Sequence, residues 1–186
     1  MKKGGKIFGI FPAKNRGGQV WVETVIYTLI AMVMIGLVLT FVQPKILELS
    51  DRATVQQSIS MMNDINSVIL SVLQSGAGNV RKAEITLRAG TLVIDGADEK
   101  IIFSLEKSHY QLSEPDQQDV YYGDILVYTH QVNELNSINM TLDYAQYNLT
   151  YQGADAAGAI TKASTPYVLF ISNNDGAKVN IDFNIG

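Results

Sequence analysis

The sequence predicts an α+β protein: a long N-terminal α-helix, hydrophobic and then amphipathic, followed by a C-terminal antiparallel β-sheet or β-sandwich head. Three observations carry this. Residues 24–42 contain no charged side chain. Val55, Ile59, Met62, Ile65, Ile69, Val72 and Leu73 then recur at helical spacings of three and four. From residue 80 to residue 186, short alternating apolar runs are separated by turn residues.

Composition narrows the function classes. The chain has 186 residues, 47% of them hydrophobic, and a net charge of −4. Residues 1–18 hold Lys2, Lys3, Lys6, Lys14 and Arg16 and no acid. That leaves 9 of the 14 basic residues against all 18 acidic ones in the remainder, a balance of −9. The positive-inside rule keeps the N-terminus cytoplasmic and exports the C-terminal part. An acidic exported part repels phosphate, so nucleic acid is not an expected partner. Cysteine is absent, which excludes disulfides, thiolate chemistry and Cys-based metal sites.

Residues 1–18 are Gly- and Lys-rich without helical periodicity and read as a leader. Residues 19–75 read as one helix in two regimes. Residues 19–42 are apolar on all sides, as a lipid or protein-core environment requires, and at ~1.5 Å per residue they roughly match a bilayer core of ~30 Å. This is longer than the ~7–15-residue core of a secretory signal, and no small-residue cleavage site follows. Residues 43–75 are amphipathic, with Asp51, Arg52, Gln56, Gln57, Asn63, Asn66 and Ser67 on the polar face. Pro44 inside the helix predicts a kink or local opening. Gly76 and Gly78 end it.

The head is expected over residues 80–186. Residues 84–88, 91–94, 100–105 and 124–130 read as strands, with turns at Ala89-Gly90 and Asp95-Gly96 and a polar loop at 113–119. Ile138, Met140, Leu142 and Tyr144 share one face. Tyr147, Leu149 and Tyr151 share a face at the opposite parity, which places a bulge or tight bend at Ala145-Gln146. Residues 167–171 are continuously apolar and read as a fully buried strand. Val179, Ile181, Phe183 and Ile185 alternate cleanly.

One junction stands apart: Lys14-Asn15-Arg16-Gly17-Gly18-Gln19-Val20-Trp21-Val22-Glu23. An unpaired carboxylate near hydrocarbon costs ~2.5 kcal/mol or more, so Glu23 calls for a partner. The residues Lys14, Arg16, Gly18, Gln19 and Glu23, with the apolar run after them, resemble the class III signal peptide of type IV pilin-like proteins. The match is to the archaeal type IV pilin and archaellin superfamily, and it covers residues 14–42. The resemblance implies a membrane-embedded prepilin peptidase that recognises Lys14, Arg16, Gly17 and Gly18 and cuts between Gly18 and Gln19 on the cytoplasmic side. A cut after Gly17 is the alternative, and it would make Glu23 the sixth mature residue rather than the fifth. The resemblance further implies a pilus assembly ATPase with its membrane platform, and a filament of this chain, alone or mixed with other pilins, built on Gln19 and Glu23. Cleavage exposes an α-ammonium at Gln19, one helical turn from the Glu23 carboxylate. Cyclisation of Gln19 to pyroglutamate would remove that ammonium.

Other features carry less. Asn139 and Asn148 head N-glycosylation sequons on the polar faces of their strands. Trp21 and Tyr27 read equally as interfacial anchors and as packing residues. His109 and His130 are too few for a His-based metal site, and Asp95, Asp98 and Glu99 read as a hairpin turn rather than a calcium loop. Eight of the nine tyrosines lie in the head, an adhesive or intersubunit surface or simply strand formers. No catalytic grouping or cofactor fingerprint stands in a supporting context. The chain therefore reads as a non-enzymatic filament subunit without cofactor or metal. It is first a cytoplasmic-membrane precursor and then an extracellular filament component serving adhesion or surface attachment, with archaellin-like motility as a weaker option. The competing readings are an uncleaved single-pass anchor carrying an extracellular binding or scaffolding β domain, and a minor pseudopilin of a secretion machine.

Overall fold

The computed structural model describes residues 16–174 and 180–186, and for residues 16–19 the backbone alone. Lys14, the rest of the leader before it, and Val179 lie outside the described residues. The chain divides into two compact units, Met1–Gln43 and Pro44–Gly186.

The described part of the first unit is the N-terminal stretch of one helix, α1 (Arg16–Ser75). It begins three residues before the expected start at Gln19. An apolar helix of this length adds one hydrogen bond per residue as it extends, so it propagates through the two glycines. Glu23 therefore does not stand in the first turn, which holds no acidic residue. The helical assignment continues through Pro44, which has no N–H to give to the ladder.

The second unit joins the amphipathic stretch of α1 to a β head. Val55, Ile59, Met62, Ile65, Ile69 and Val72 are buried, as their spacing predicts, and Leu73 is half-buried. The polar face departs from expectation at Asn66, which is buried. It is tolerated there because its amide is hydrogen-bonded at both ends, as described below.

Ten strands follow: β1 (Val80–Ile85), β2 (Thr91–Asp95), β3 (Lys100–Ser108), β4 (Val120–Tyr122), β5 (Ile125–Val132), β6 (Leu135–Asp143), β7 (Asn148–Tyr151), β8 (Ala157–Thr161), β9 (Tyr167–Asn174) and β10 (Asn180–Ile185). They form a four-stranded sheet, β1-β9-β10-β7, and a six-stranded sheet, β4-β5-β6-β3-β2-β8. Both sheets and α1 contribute to one hydrophobic cluster, with Phe103 and Phe183 its largest fully buried side chains.

Among the described residues the pairing is antiparallel with one exception. β7 runs parallel to β10, Leu149 opposite Ile181 and Tyr151 opposite Phe183. An all-antiparallel head was expected, because parallel pairing joins segments far apart in sequence and leaves no turn signal. β1 starts at Val80 and ends at Ile85, earlier than the alternation over 84–88 suggested. It is an edge strand, and its Arg81 and Lys82 are exposed as charges that discourage further pairing. β9 is not fully buried: Leu169 and Ile171 point inward while Phe170 is exposed, as a one-faced sheet demands. β4 and β8 carry no alternation signal strong enough to be read from sequence.

The parity change after Tyr144 is a tight turn, and it has a larger consequence than a bulge. The Tyr147 N–H donates to the Tyr144 carbonyl at 2.7 Å, and the Ala145 N–H donates to Asp143 Oδ1 at 2.9 Å. Between β6 and β7 the chain thereby passes from the six-stranded to the four-stranded sheet.

Candidate functional site

The N-terminal junction is the first candidate. Every residue from 20 to 42 is exposed on the described chain, and these are almost all apolar. Mean hydropathy reaches 2.6 within Val20–Ser75, so this helix is long and apolar enough to cross a membrane. Its few hydroxyls are satisfied within the helix. Thr24 donates to the Val20 carbonyl at 2.9 Å, Thr28 to Thr24 at 2.8 Å, and Thr40 to Gly36 at 2.9 Å. Back-bonded hydroxyls of this kind cost little in an apolar environment.

Glu23 is the one charged side chain in this stretch. Tyr27, one turn along, donates its hydroxyl to Glu23 Oε1 at 3.1 Å. That gives Tyr27 a role the sequence reading did not assign. A single neutral donor does not neutralise a carboxylate, and among the residues whose side chains are described, which exclude Lys14 and Arg16, no cation pairs with Glu23. The backbone of Arg16, Gly17, Gly18 and Gln19 is helical, so the candidate scissile bond lies in the first turn of α1. Cleavage there requires local unwinding. Two consecutive glycines at a helix end lower its cost, each being roughly 1 kcal/mol less helix-favouring than alanine.

No family model, curated protein or solved structure matches this chain.

The chemistry of the head therefore rests on its own geometry. Among the described residues, no three His, Cys, Asp or Glu side chains converge as metal ligands would. The Asp95, Asp98 and Glu99 segment turns β2 into β3. Asp95 Oδ1 accepts the N–H groups of Ala97 (3.0 Å) and Asp98 (3.2 Å), and Glu99 Oε2 accepts the Leu149 N–H at 2.5 Å. His109 pairs with Asp51 through both its backbone N–H (2.7 Å) and Nδ1 (3.0 Å), tying the end of β3 to α1. His130 pairs with Asp116. Both histidines thus hold segments of the fold together.

The sequons are less open than their strand positions suggested. Asn139 is half-buried at the centre of the six-stranded sheet, between Ser104 and Tyr128. Asn148 is half-buried on β7, and the hydroxyl of its sequon residue Thr150 is buried, donating to Asp182 Oδ1 at 2.8 Å. A transferase that needs that hydroxyl must act before β7 joins the sheet.

Two polar networks were not foreseen. Asp182 is buried between Ile181 and Phe183, where alternation alone would leave it facing solvent. The loop after β7 covers it: Oδ1 accepts the Gly153 N–H at 2.8 Å, and the Gln152 N–H donates to the Phe183 carbonyl at 2.9 Å. Asn184 supplies a further donor to Oδ2 at 2.6 Å. The second network runs from Tyr144, which donates to Asn66 Oδ1 at 2.8 Å, through Asn66 Nδ2 to Asp124 Oδ2 at 3.0 Å. Burial, and then the Asp124 charge, push the Tyr144 phenol well above its usual range, so it remains a donor at any physiological pH. Tyr144→Phe leaves Asn66 Oδ1 buried without that partner and is expected to cost about 1–2 kcal/mol in chemical denaturation. An unchanged midpoint would show that this bond contributes nothing.

Proposed function

We propose that this chain is a structural, non-enzymatic subunit of a type IV pilus-like surface filament. A prepilin peptidase removes residues 1–18, an assembly ATPase and membrane platform extract the mature chain, and it polymerises through the N-terminal part of α1. The observation that carries the reading is the apolar helix over residues 20–42, exposed on all sides and interrupted only by Glu23. So large an apolar surface has to be covered. Lipid covers it in the precursor, where the basic leader holds the N-terminus in the cytoplasm and the acidic head lies outside. Neighbouring copies of the same helix cover it in the filament, and there the new α-ammonium of Gln19 supplies a cation for Glu23. Attachment to surfaces is the use that suits an exported head displayed in many copies.

A second reading, an uncleaved anchor for an extracellular β domain, is favoured by the helical backbone through Gly18 and Gln19. Mass spectrometry of N-terminal peptides from membrane and filament fractions separates the two. Mature chains are expected to begin at Gln19, as the free amine or as pyroglutamate. Chains beginning only at Met1 or Lys2 would refute the filament reading.

A further inference from the structure

Three segments far apart in sequence converge on a cleft of about 400 Å³ in the head: Asn66 on α1, Tyr121 and Asp124 at the β4–β5 hairpin, and Asp143, Tyr144, Gln146 and Tyr147 at the turn between β6 and β7. We infer that this cleft is a binding site for a neutral saccharide.

The walls have the required chemistry. Tyr121 stands at the cleft with 74% of its surface exposed and half-buried Tyr147 lines it as well, while Tyr144 is buried with its hydroxyl given to Asn66. Tyrosine rings offer flat apolar faces to the C–H face of a pyranose and hydroxyls to its rim. Asp124 and Asp143 each have one oxygen engaged by the protein, Asp124 by the Asn66 amide and Asp143 by the Ala145 N–H. Each therefore keeps a second oxygen able to accept from a sugar hydroxyl. The exposed Gln146 amide adds both a donor and an acceptor.

The site is also held in shape. Asn66 is 9% exposed and Tyr144 5% exposed, and their hydrogen bond fixes the amide that in turn fixes Asp124. A buried polar pair beneath an exposed carboxylate pre-positions that carboxylate at no ordering cost on binding. Charge decides among ligand classes. Two carboxylates and no lysine or arginine line the cleft, which disfavours phosphates, uronic acids and sialic acids. A cation would meet the carboxylates but make no use of the Gln146 amide or the Tyr121 hydroxyl. A polyhydroxylated neutral ligand meets donors and acceptors together.

The site lies within one head and does not depend on polymerisation, so it stands apart from the filament reading. The test is saturation-transfer NMR on the full chain, in a detergent lacking sugar and choline headgroups. The probes are the methyl glycosides of mannose, galactose, glucose and N-acetylglucosamine, with glucuronic acid and choline as contrasts. Saturation is expected at the ring protons of at least one neutral glycoside and not at glucuronic acid. Tyr121→Ala, which removes the aromatic face, and Asp124→Asn, which removes a charged acceptor, should each weaken that binding about tenfold or more. Tyr122→Ala, next in the strand and outside the cleft, should leave it unchanged. Failure of every neutral glycoside to bind, binding of choline alone, or binding untouched by Tyr121→Ala would overturn the proposal.

Discussion

Replacing Glu23 with alanine is expected to abolish filaments while the precursor still inserts into the membrane and the head still folds. The carboxylate belongs to the first unit and is no member of the hydrophobic cluster of the head, and among the described residues its side-chain hydrogen bond is to Tyr27 within the same helix. Its loss therefore leaves the second unit intact. In the filament core proposed above the situation would reverse. A carboxylate removed from a buried ion pair leaves the ammonium of Gln19 uncompensated, a loss of roughly 3–5 kcal/mol per contact. At 1.4 kcal/mol per decade, that would weaken each subunit addition by about two to three and a half orders of magnitude. Glu23→Gln distinguishes the partner. With a free ammonium at Gln19, glutamine fails as alanine does, because it carries no charge. With Gln19 cyclised, glutamine supplies the remaining hydrogen bonds and filaments persist. Electron microscopy of both strains, beside circular dichroism of the extracted chain, checks the result. Normal filaments from both variants would show that Glu23 takes no part in assembly.

Asp182→Ala is expected to destabilise the head by about 2–4 kcal/mol, a substantial share of the 5–15 kcal/mol typical of a folded domain. The aspartate accepts from the Thr150 hydroxyl, the Gly153 N–H and the Asn184 amide, all within 2.8 Å. It thereby joins the only parallel strand pair among the described residues to the loop that covers it. Alanine removes the acceptor shared by these three donors at a position where the aspartate itself is buried, and leaves the buried Thr150 hydroxyl only Asn180 Oδ1, at 2.9 Å. Asp182→Asn should cost much less. Its amide oxygen keeps the Thr150 and Gly153 bonds, and Asn184 can turn its own amide to meet the new NH2 group. Denaturant titration of the two variants side by side gives the comparison. A loss for alanine within about 0.5 kcal/mol, the range of ordinary surface substitutions, would mean that the network is not structural.

These two aspects of the molecule differ in how far the sequence reveals them. Glu23 is conspicuous because its neighbours are uniformly apolar, and hydropathy is a local property. Asp182 sits between Ile181 and Phe183 in a run that alternates correctly, so the same local rule assigns it to solvent. Only the return of residues 152 and 153 over β10 buries it. Asn66 misleads in the same way. Its place on the helix belongs to the polar face, yet Tyr144, 78 residues later, comes down upon it. Tyr27 was legible as an aromatic near a membrane interface, but its bond to Glu23 required the helix geometry to appear.

By itself, the sequence determined the α+β class, the two regimes of the helix, the apolar stretch before Val42, and the inward face of most strands. Each follows from periodicity or hydropathy within a window of a few residues, where side-chain spacing and backbone geometry are directly coupled. The tertiary structure alone decided the division into two sheets, the parallel union of β7 with β10, the burial of Asn66 and Asp182, and the convergence of three segments on one cleft. Those depend on which distant strands pair and which loops cover them. Contacts of that kind arise from packing one shared core, and they leave no trace in local pattern.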